Sequence, residues 1–223
     1  MPARRATHDR DLTAAILAGG VARRMGGADK SSLPLGGERI LDRQLSALRT
    51  LTDSILVVGG AQGRYEALGL RTVPDAIPAG GAMAGIYSAI VASPHAWTLV
   101  VACDMPFLSA PLLLELAARR SALIDVVMPR TPDGLQPLCA LYSERCAPSL
   151  RSRLERGLLR ASEIVGDVRV EELGPDEIAA YDPDGLMFVN VNTPHDYERA
   201  KEVVDRERRS RAALRDPITD ATA

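Results

Sequence analysis

Short runs that are apolar at almost every position, separated by segments of helical period, constrain this chain more than any other feature. "LTAAIL" (12–17), "SILVV" (54–58), "WTLVVAC" (97–103), "DVVMP" (125–129) and "PLCALY" (137–142) read as strands with no polar face. A strand without a polar face must be covered on both sides, the signature of a parallel sheet between two helical layers. Between them, "ILDRQLSALRTL" (40–51), "AMAGIYSAIVAS" (82–93) and "SAPLLLELAARR" (109–120) repeat apolar residues at helical spacing. The alternation predicts an α/β fold with three layers, α/β/α, around a mostly parallel sheet.

The pattern then shifts. "SERCAPSLRSRLERG" (143–157) reads as helical, "DVRVEEL" (167–173) as a strand, and "LMFVNVN" (186–192) as a last strand before a helix that starts at Pro194, since proline suits a first helical turn. Tyr197, Ala200, Val203 and Val204 give that helix a packing stripe. From Glu207 the apolar periodicity fades, so residues 207–223 are predicted to be a solvated tail and residues 1–11 to behave likewise, bounding one domain at 12–206.

Composition narrows the function classes. A formal net charge of -2 with 4% aromatic residues offers neither the basic excess nor the stacking rings of a nucleic-acid binder. No run approaches the ~18 apolar residues of a membrane span, and the amino-terminal stretch has no apolar segment of signal-peptide length. The three cysteines, Cys103, Cys139 and Cys146, form no CxxC pair and read as reduced thiols, while the three histidines lack zinc-site spacing. A soluble, cytoplasmic protein is expected.

Chemistry concentrates behind the first strand, in "AAILAGGVARRMGGADKSS" (14–32). Ligands of open α/β sheets bind at the carboxyl ends of the strands, and Gly19 and Gly20 follow the first strand directly. Glycines let backbone N–H groups surround an anion, and Arg23, Arg24 and Lys30 add full charges suited to a triphosphate. Two familiar loops are excluded. A P-loop needs glycine where Asp29 and Arg24 stand, and the dinucleotide fingerprint needs a glycine at Val21.

The run L-A-G-G-x-x-x-R-M-G-G-x-D-K from Leu17 to Lys30 resembles the signature of the molybdenum cofactor guanylyltransferases, the MobA family. The resemblance continues, in order, at "GGAMAG" (80–85), "ACDMPFL" (102–108), "QPLCALY" (136–142) and "FVNVNTP" (188–194). It implies a Rossmann-like mixed sheet of the glycosyltransferase-A type and transfer of GMP from GTP to the terminal phosphate of molybdenum–molybdopterin, with pyrophosphate released. A molybdoenzyme or delivery protein would receive the product.

Residue by residue, the resemblance makes Leu17, Ala18, Gly19, Gly20, Arg24 and Lys30 a nucleotide loop. It makes Asp104 the carboxylate for Mg²⁺, at a position where an aspartate could otherwise cap a helix. Arg24, Lys30 and Asp104 form the expected catalytic set. Asp75 and the Gly81-to-Gly85 segment would border base and sugar, although Asp75 also suits a turn after Pro74. Gly59 stands where relatives carry asparagine, so only its main chain can contact a nucleotide. Asn190 and Asn192 lie one strand period apart and are candidate acceptor-binding amides, or structural amides bonding neighbouring loops.

The rivals are a cytidylyltransferase using CTP, a sugar-phosphate nucleotidyltransferase, and a non-catalytic nucleotide-binding adaptor. The cytidylyl relatives read L-A-A-G where this chain reads Leu17-Ala18-Gly19-Gly20. One methyl in a pocket is worth about 1–3 kcal/mol, which favours the purine.

Overall fold

The computed structural model describes residues 9, 11–18, 30–60, 63, 65–77 and 80–215. Its strands are β1 (Leu12–Leu17), β2 (Pro34–Leu35), β3 (Glu38–Arg39), β4 (Ile55–Val58), β5 (Arg71–Val73), β6 (Trp97–Ala102), β7 (Val126–Thr131), β8 (Gly134–Leu135), β9 (Cys139–Ser143) and β10 (Val170–Leu173). The helices are α1 (Ile40–Leu48), α2 (Gly81–Ala92), α3 (Ala110–Ala118), α4 (Ala147–Glu155), α5 (Pro175–Ala179) and α6 (Pro194–Arg215). The main sheet runs β10-β7-β9-β6-β1-β4-β5, with β8 beside β7. All its long pairings are parallel except those of β9, which runs against both β6 and β7. This is the mostly parallel, mixed sheet expected.

Alternation along the central strands feeds two cores. Leu12, Ala14 and Ile16 of β1, with Leu99 and Val101 of β6, meet Leu41, Leu45 and Leu48 of α1 and Leu112, Leu113 and Leu116 of α3. Ala15, Leu17 and Val100 point the other way, onto Met83, Ile86 and Ile90 of α2 and Leu150 and Leu154 of α4. A third, smaller core joins Leu35, Ile40, Phe107, Val191, Ala200 and Val204. No helix among the described residues is long and apolar enough to cross a membrane.

Three sequence expectations need correction. Residues 186–192 do not form a strand. The first of their amides are taken locally: the Asp182 carboxylate accepts from Leu186 N (3.1 Å) and Met187 N (3.0 Å), and Val189 N donates to Leu186 O (3.0 Å). The predicted tail is helical as far as Arg215, because α6 continues past residue 206 without interruption. Two of those added residues dock: Glu207 lies 3.6 Å from Arg43, and the Arg208 guanidinium donates to Gly36 O. Asp9, inside the amino-terminal stretch expected to be solvated, donates its N–H to Leu51 O (2.7 Å) and pairs with Arg120.

The β2–β3 hairpin makes α6's docking possible. Its two-residue loop, Gly36-Gly37, has φ of 65° and 89°, as a primed turn requires. A Cβ on Gly36 would overlap Val204 Cγ1 of α6, so a hydrogen there lets helix and hairpin close.

Candidate active site

Strand register lines up the carboxyl edge. Leu17 is level with Val58 on one side and Ala102 on the other, and Val58 is level with Val73. The ladders then extend one residue further: Gly59 N donates to Val73 O (2.8 Å), Ala18 N to Val58 O (2.8 Å) and Cys103 N to Leu17 O (3.2 Å). Asp75, Gly59, Ala18 and Asp104 therefore stand in a row across four parallel strands, although 86 residues of sequence separate the last two. Gly19, Gly20, Arg23 and Arg24 lie outside the described residues.

Lys30 opens a short 3-10 turn, Lys30–Ser32. The next residue, Ser31, is buried and its hydroxyl sits 3.1 Å from that of Tyr65. Tyr65 in turn packs so closely on Gly60 that a Cβ there would fall 2.7 Å from its Cε2 and 3.4 Å from Ala18 Cβ. That chain of contacts anchors the turn beside the end of β1.

Helix α2 brings its amino terminus to the same edge. Its Gly85 lies over Leu17, where a Cβ would come within 3.1 Å of Leu17 Cδ1. Gly81 adopts φ 60° with open space around it, and no side chain caps the helix start. First-turn amides without a side-chain cap among the described residues, together with the helix dipole, favour an anion there. Ala76 N donates to Ser88 Oγ (2.8 Å), which donates to Ala84 O (2.7 Å), tying the residue after Asp75 to α2. Asp75 itself is solvent-exposed by area, yet atoms crowding its carboxyl desolvate it enough to raise its pKa above the ordinary value.

Asp104 is half-buried in the turn after β6, with its main-chain O accepting from Val191 N (2.9 Å). Val191 is buried while Asn190 and Asn192 on either side of it are exposed. The structure thus brings both asparagines to the Asp104 turn, on an extended segment rather than on a strand. Asn190 also borders an open hollow beside Gln136, Asp133 and Phe188 at the carboxyl end of β7.

No group of three or more His, Cys, Asp or Glu gathers for a metal among the described residues. Mg²⁺ does not need such a group when a triphosphate comes with it, because one or two carboxylates, phosphate oxygens and water complete its shell. A half-buried aspartate at the nucleotide edge fits that donor set.

Cys103 packs on the α1/α3 core, and burial pushes the Cys139 and Cys146 thiols up to about 12. All three therefore read as structural thiols.

Sequence reasoning missed the support beneath Asp104. From α1, Gln44 Nε2 donates to Ala102 O (2.7 Å) and Met105 O (3.0 Å), and Arg43 Nε donates to Pro106 O (3.1 Å). The signal was a lone amide within the apolar stripe of Ile40, Leu41, Leu45 and Leu48.

Comparison with known proteins agrees with this geometry. The model of the MobA-like NTP transferase domain matches residues 14–169. A protein of Pelotomaculum thermopropionicum described as a probable molybdenum cofactor guanylyltransferase is 36% identical over 202 residues, 91% of this chain and 98% of that one. The molybdenum cofactor guanylyltransferase of Desulfosudis oleivorans is 30% identical over 86% of this chain and 96% of its own length. Among solved structures, molybdopterin-guanine dinucleotide biosynthesis protein A of Archaeoglobus fulgidus superposes with a TM-score of 0.72, at 25% identity, covering 87% of this chain and 99% of that one.

Proposed function

The chain belongs to the MobA-like NTP transferase family, and from that premise we propose that it transfers GMP from GTP to the terminal phosphate of molybdenum–molybdopterin. The observation that carries the reading is the row of Ala18, Gly59, Asp75 and Asp104 along one sheet edge, in a chain matched nearly end to end by proteins named for this reaction.

An oxygen of the acceptor phosphate attacks the α-phosphorus of GTP. One P–O bond forms, the bond from the α-phosphorus to the bridging oxygen breaks, and pyrophosphate leaves with that electron pair. No protein nucleophile is required, which suits an edge whose thiols face the core. The protein's work is to position two anions and offset their charge. The helix start at Gly81 and the glycines Gly19 and Gly20 donate to nucleotide oxygens, while Leu17 and Ala18, the latter with its N–H held by Val58 O, carry that loop at the end of β1. Arg24 and Lys30 counter the charge of the triphosphate and of the departing pyrophosphate. Asp75 and Gly81 border the base and sugar, with Gly59 contributing main chain, whereas Gly85, expected to join them, is buried against Leu17 and serves to bring α2 close to β1. Asp104 would hold Mg²⁺, whose chemistry when bound is to draw charge from the phosphate oxygens. Asn190 and Asn192, exposed beside Asp104, bind the acceptor. A cytoplasmic location fits the three free cysteines.

Pyrophosphate release measured with GTP, CTP and ATP, each with and without molybdenum–molybdopterin, tests the reading. Release with GTP that depends on the acceptor is expected. Faster release with CTP would transfer the assignment to a cytidylyltransferase, and binding of GTP with no release would make the chain an adaptor.

A further inference from the structure

Gln44 is fully buried, yet it is the only polar residue that α1 turns into its apolar stripe among those buried there. Its Nε2 spans the two carbonyls, Ala102 O and Met105 O, that bracket Cys103 and Asp104. The orientation of the amide is fixed by chemistry, because the reverse would point an acceptor at two acceptors. Its Oε1, by contrast, is buried with no hydrogen-bond partner among the described residues.

An amide that keeps two donations and leaves its acceptor unpaired is a poor choice for stability alone. An apolar side chain of the same length would fill the space without stranding an oxygen. What the apolar residue would not do is hold the two carbonyls together. The turn's own bond, Met105 N to Ala102 O, is long at 3.4 Å, and further ties, Cys103 N to Leu17 O, Val191 N to Asp104 O and Arg43 Nε to Pro106 O, reach it from β1, from the segment before α6 and from α1. Gln44 adds two shorter bonds, 2.7 and 3.0 Å, across the same span and so braces it from α1.

We infer that Gln44 is the positioning residue of this site: its amide fixes the Ala102-to-Met105 turn and so aims the Asp104 carboxylate. The inference rests on the transfer reading above. It makes α1, which contributes no side chain to the nucleotide edge, the element that decides how well Asp104 is aimed.

Gln44→Met tests it, measured for melting temperature, for kcat and KM with GTP, for the Mg²⁺ concentration at half-maximal rate, and for hydrogen exchange of residues 102–107 in the ligand-free protein. The melting temperature should hold or rise while kcat falls about tenfold or more, with KM for GTP nearly unchanged and the Mg²⁺ requirement raised, the range seen when a residue behind a ligand is removed. Exchange in 102–107 should speed up without a matching change in β1. Gln44→Glu, of equal length and able as a neutral acid to keep one donation, should fall between the two; if Gln44→Met does not fold, this variant decides by the same split. Transfer undiminished in Gln44→Met, in a preparation where Asp104→Asn is inactive, overturns the inference and leaves the transfer reading intact. No transfer by the unmodified chain overturns both.

Discussion

Asp125 stands just before β7, at the amino edge of the sheet, and stitches three elements together. It is 8% exposed. Its Oδ2 accepts from Arg169 Nε (2.9 Å) and Arg169 N (3.1 Å), and its Oδ1 from Arg169 Nη2 (3.0 Å) and Arg145 Nε (2.8 Å). Arg169 leads into β10, and Arg145 into α4. Bonds to a charged group in a protein interior are worth about 1.5–3 kcal/mol each. Here the arginines are 56% and 44% exposed and can return to water, which lowers each bond toward ~0.5–1 kcal/mol. Four such bonds give about 3 kcal/mol for Asp125→Ala, a loss of roughly 6–12 °C in melting temperature for a domain of this size.

The pH dependence follows from the same contacts. Hydrogen bonding from Arg169 above all, with Arg145 assisting, holds the Asp125 carboxyl well below the usual carboxylate range. A depressed folded-state pKa stabilises above the unfolded value of about 3.9 and loses that contribution as pH falls toward the folded value. Thermal melts of wild type and Asp125→Ala should therefore differ by a constant gap from pH 5 to 8, narrowing below about pH 4. Nucleotide-dependent stabilisation at neutral pH should not change, since Asp125 lies at the opposite edge from Asp104. A gap smaller than about 2 °C at pH 7, or one that stays constant down to pH 3, would refute the reasoning.

Asp104→Asn keeps size and capping ability but removes charge, so transfer should fall by at least ~100-fold with the melting temperature unchanged; near-normal transfer at ordinary Mg²⁺ would show that the aspartate is only a cap. GTP with Mg²⁺ should raise the melting temperature more than CTP or ATP at equal concentration, by about 2.7 kcal/mol of stability at a hundredfold excess over Kd, and a larger shift with CTP would contradict the guanylyl assignment. Gly36→Ala forces a methyl into Val204 at a positive φ and should cost about 2–4 kcal/mol in urea unfolding, whereas a loss under 1 kcal/mol would mean that α6 does not close on the hairpin as described.

Much of the fold was legible because burial on both faces writes itself into a strand. β1, β4, β6, β7 and β9 each leave an apolar run, and α1 to α3 leave helical stripes. β5 was missed because Arg71–Val73 is too short to show any period, and only its place at the sheet edge makes it a strand. The hairpin could have been found, since Gly36-Gly37 between paired short segments is a two-residue turn signal. The segment at 186–192 failed for the opposite reason: strong strand propensity was overridden by one aspartate, Asp182, four and five residues upstream of the amides it binds. In the site, the placement of Asp104 just after a strand, at the edge shared with Ala18, was readable from the sequence. Gln44 was not, because its role depends on a turn some sixty residues away.

The closure of α6 on the hairpin also bears on synthesis. Residues 34–39 leave the ribosome well over a hundred residues before their partners Val204 and Arg208, and before Val191, which adds a bond to the Asp104 turn. At 5–20 residues per second, roughly ten to thirty seconds separate hairpin and helix, and for that interval Leu35 and Ile40 have no cover from α6. The nascent chain can assemble β1, β4, β5 and β6 with their helices, and so a nucleotide edge with the Gln44 brace, well before Val191 adds its bond to the Asp104 turn. Catalytic competence then waits for Val191 and α6, and a chain interrupted before them would carry the nucleotide loop without a finished metal-facing turn.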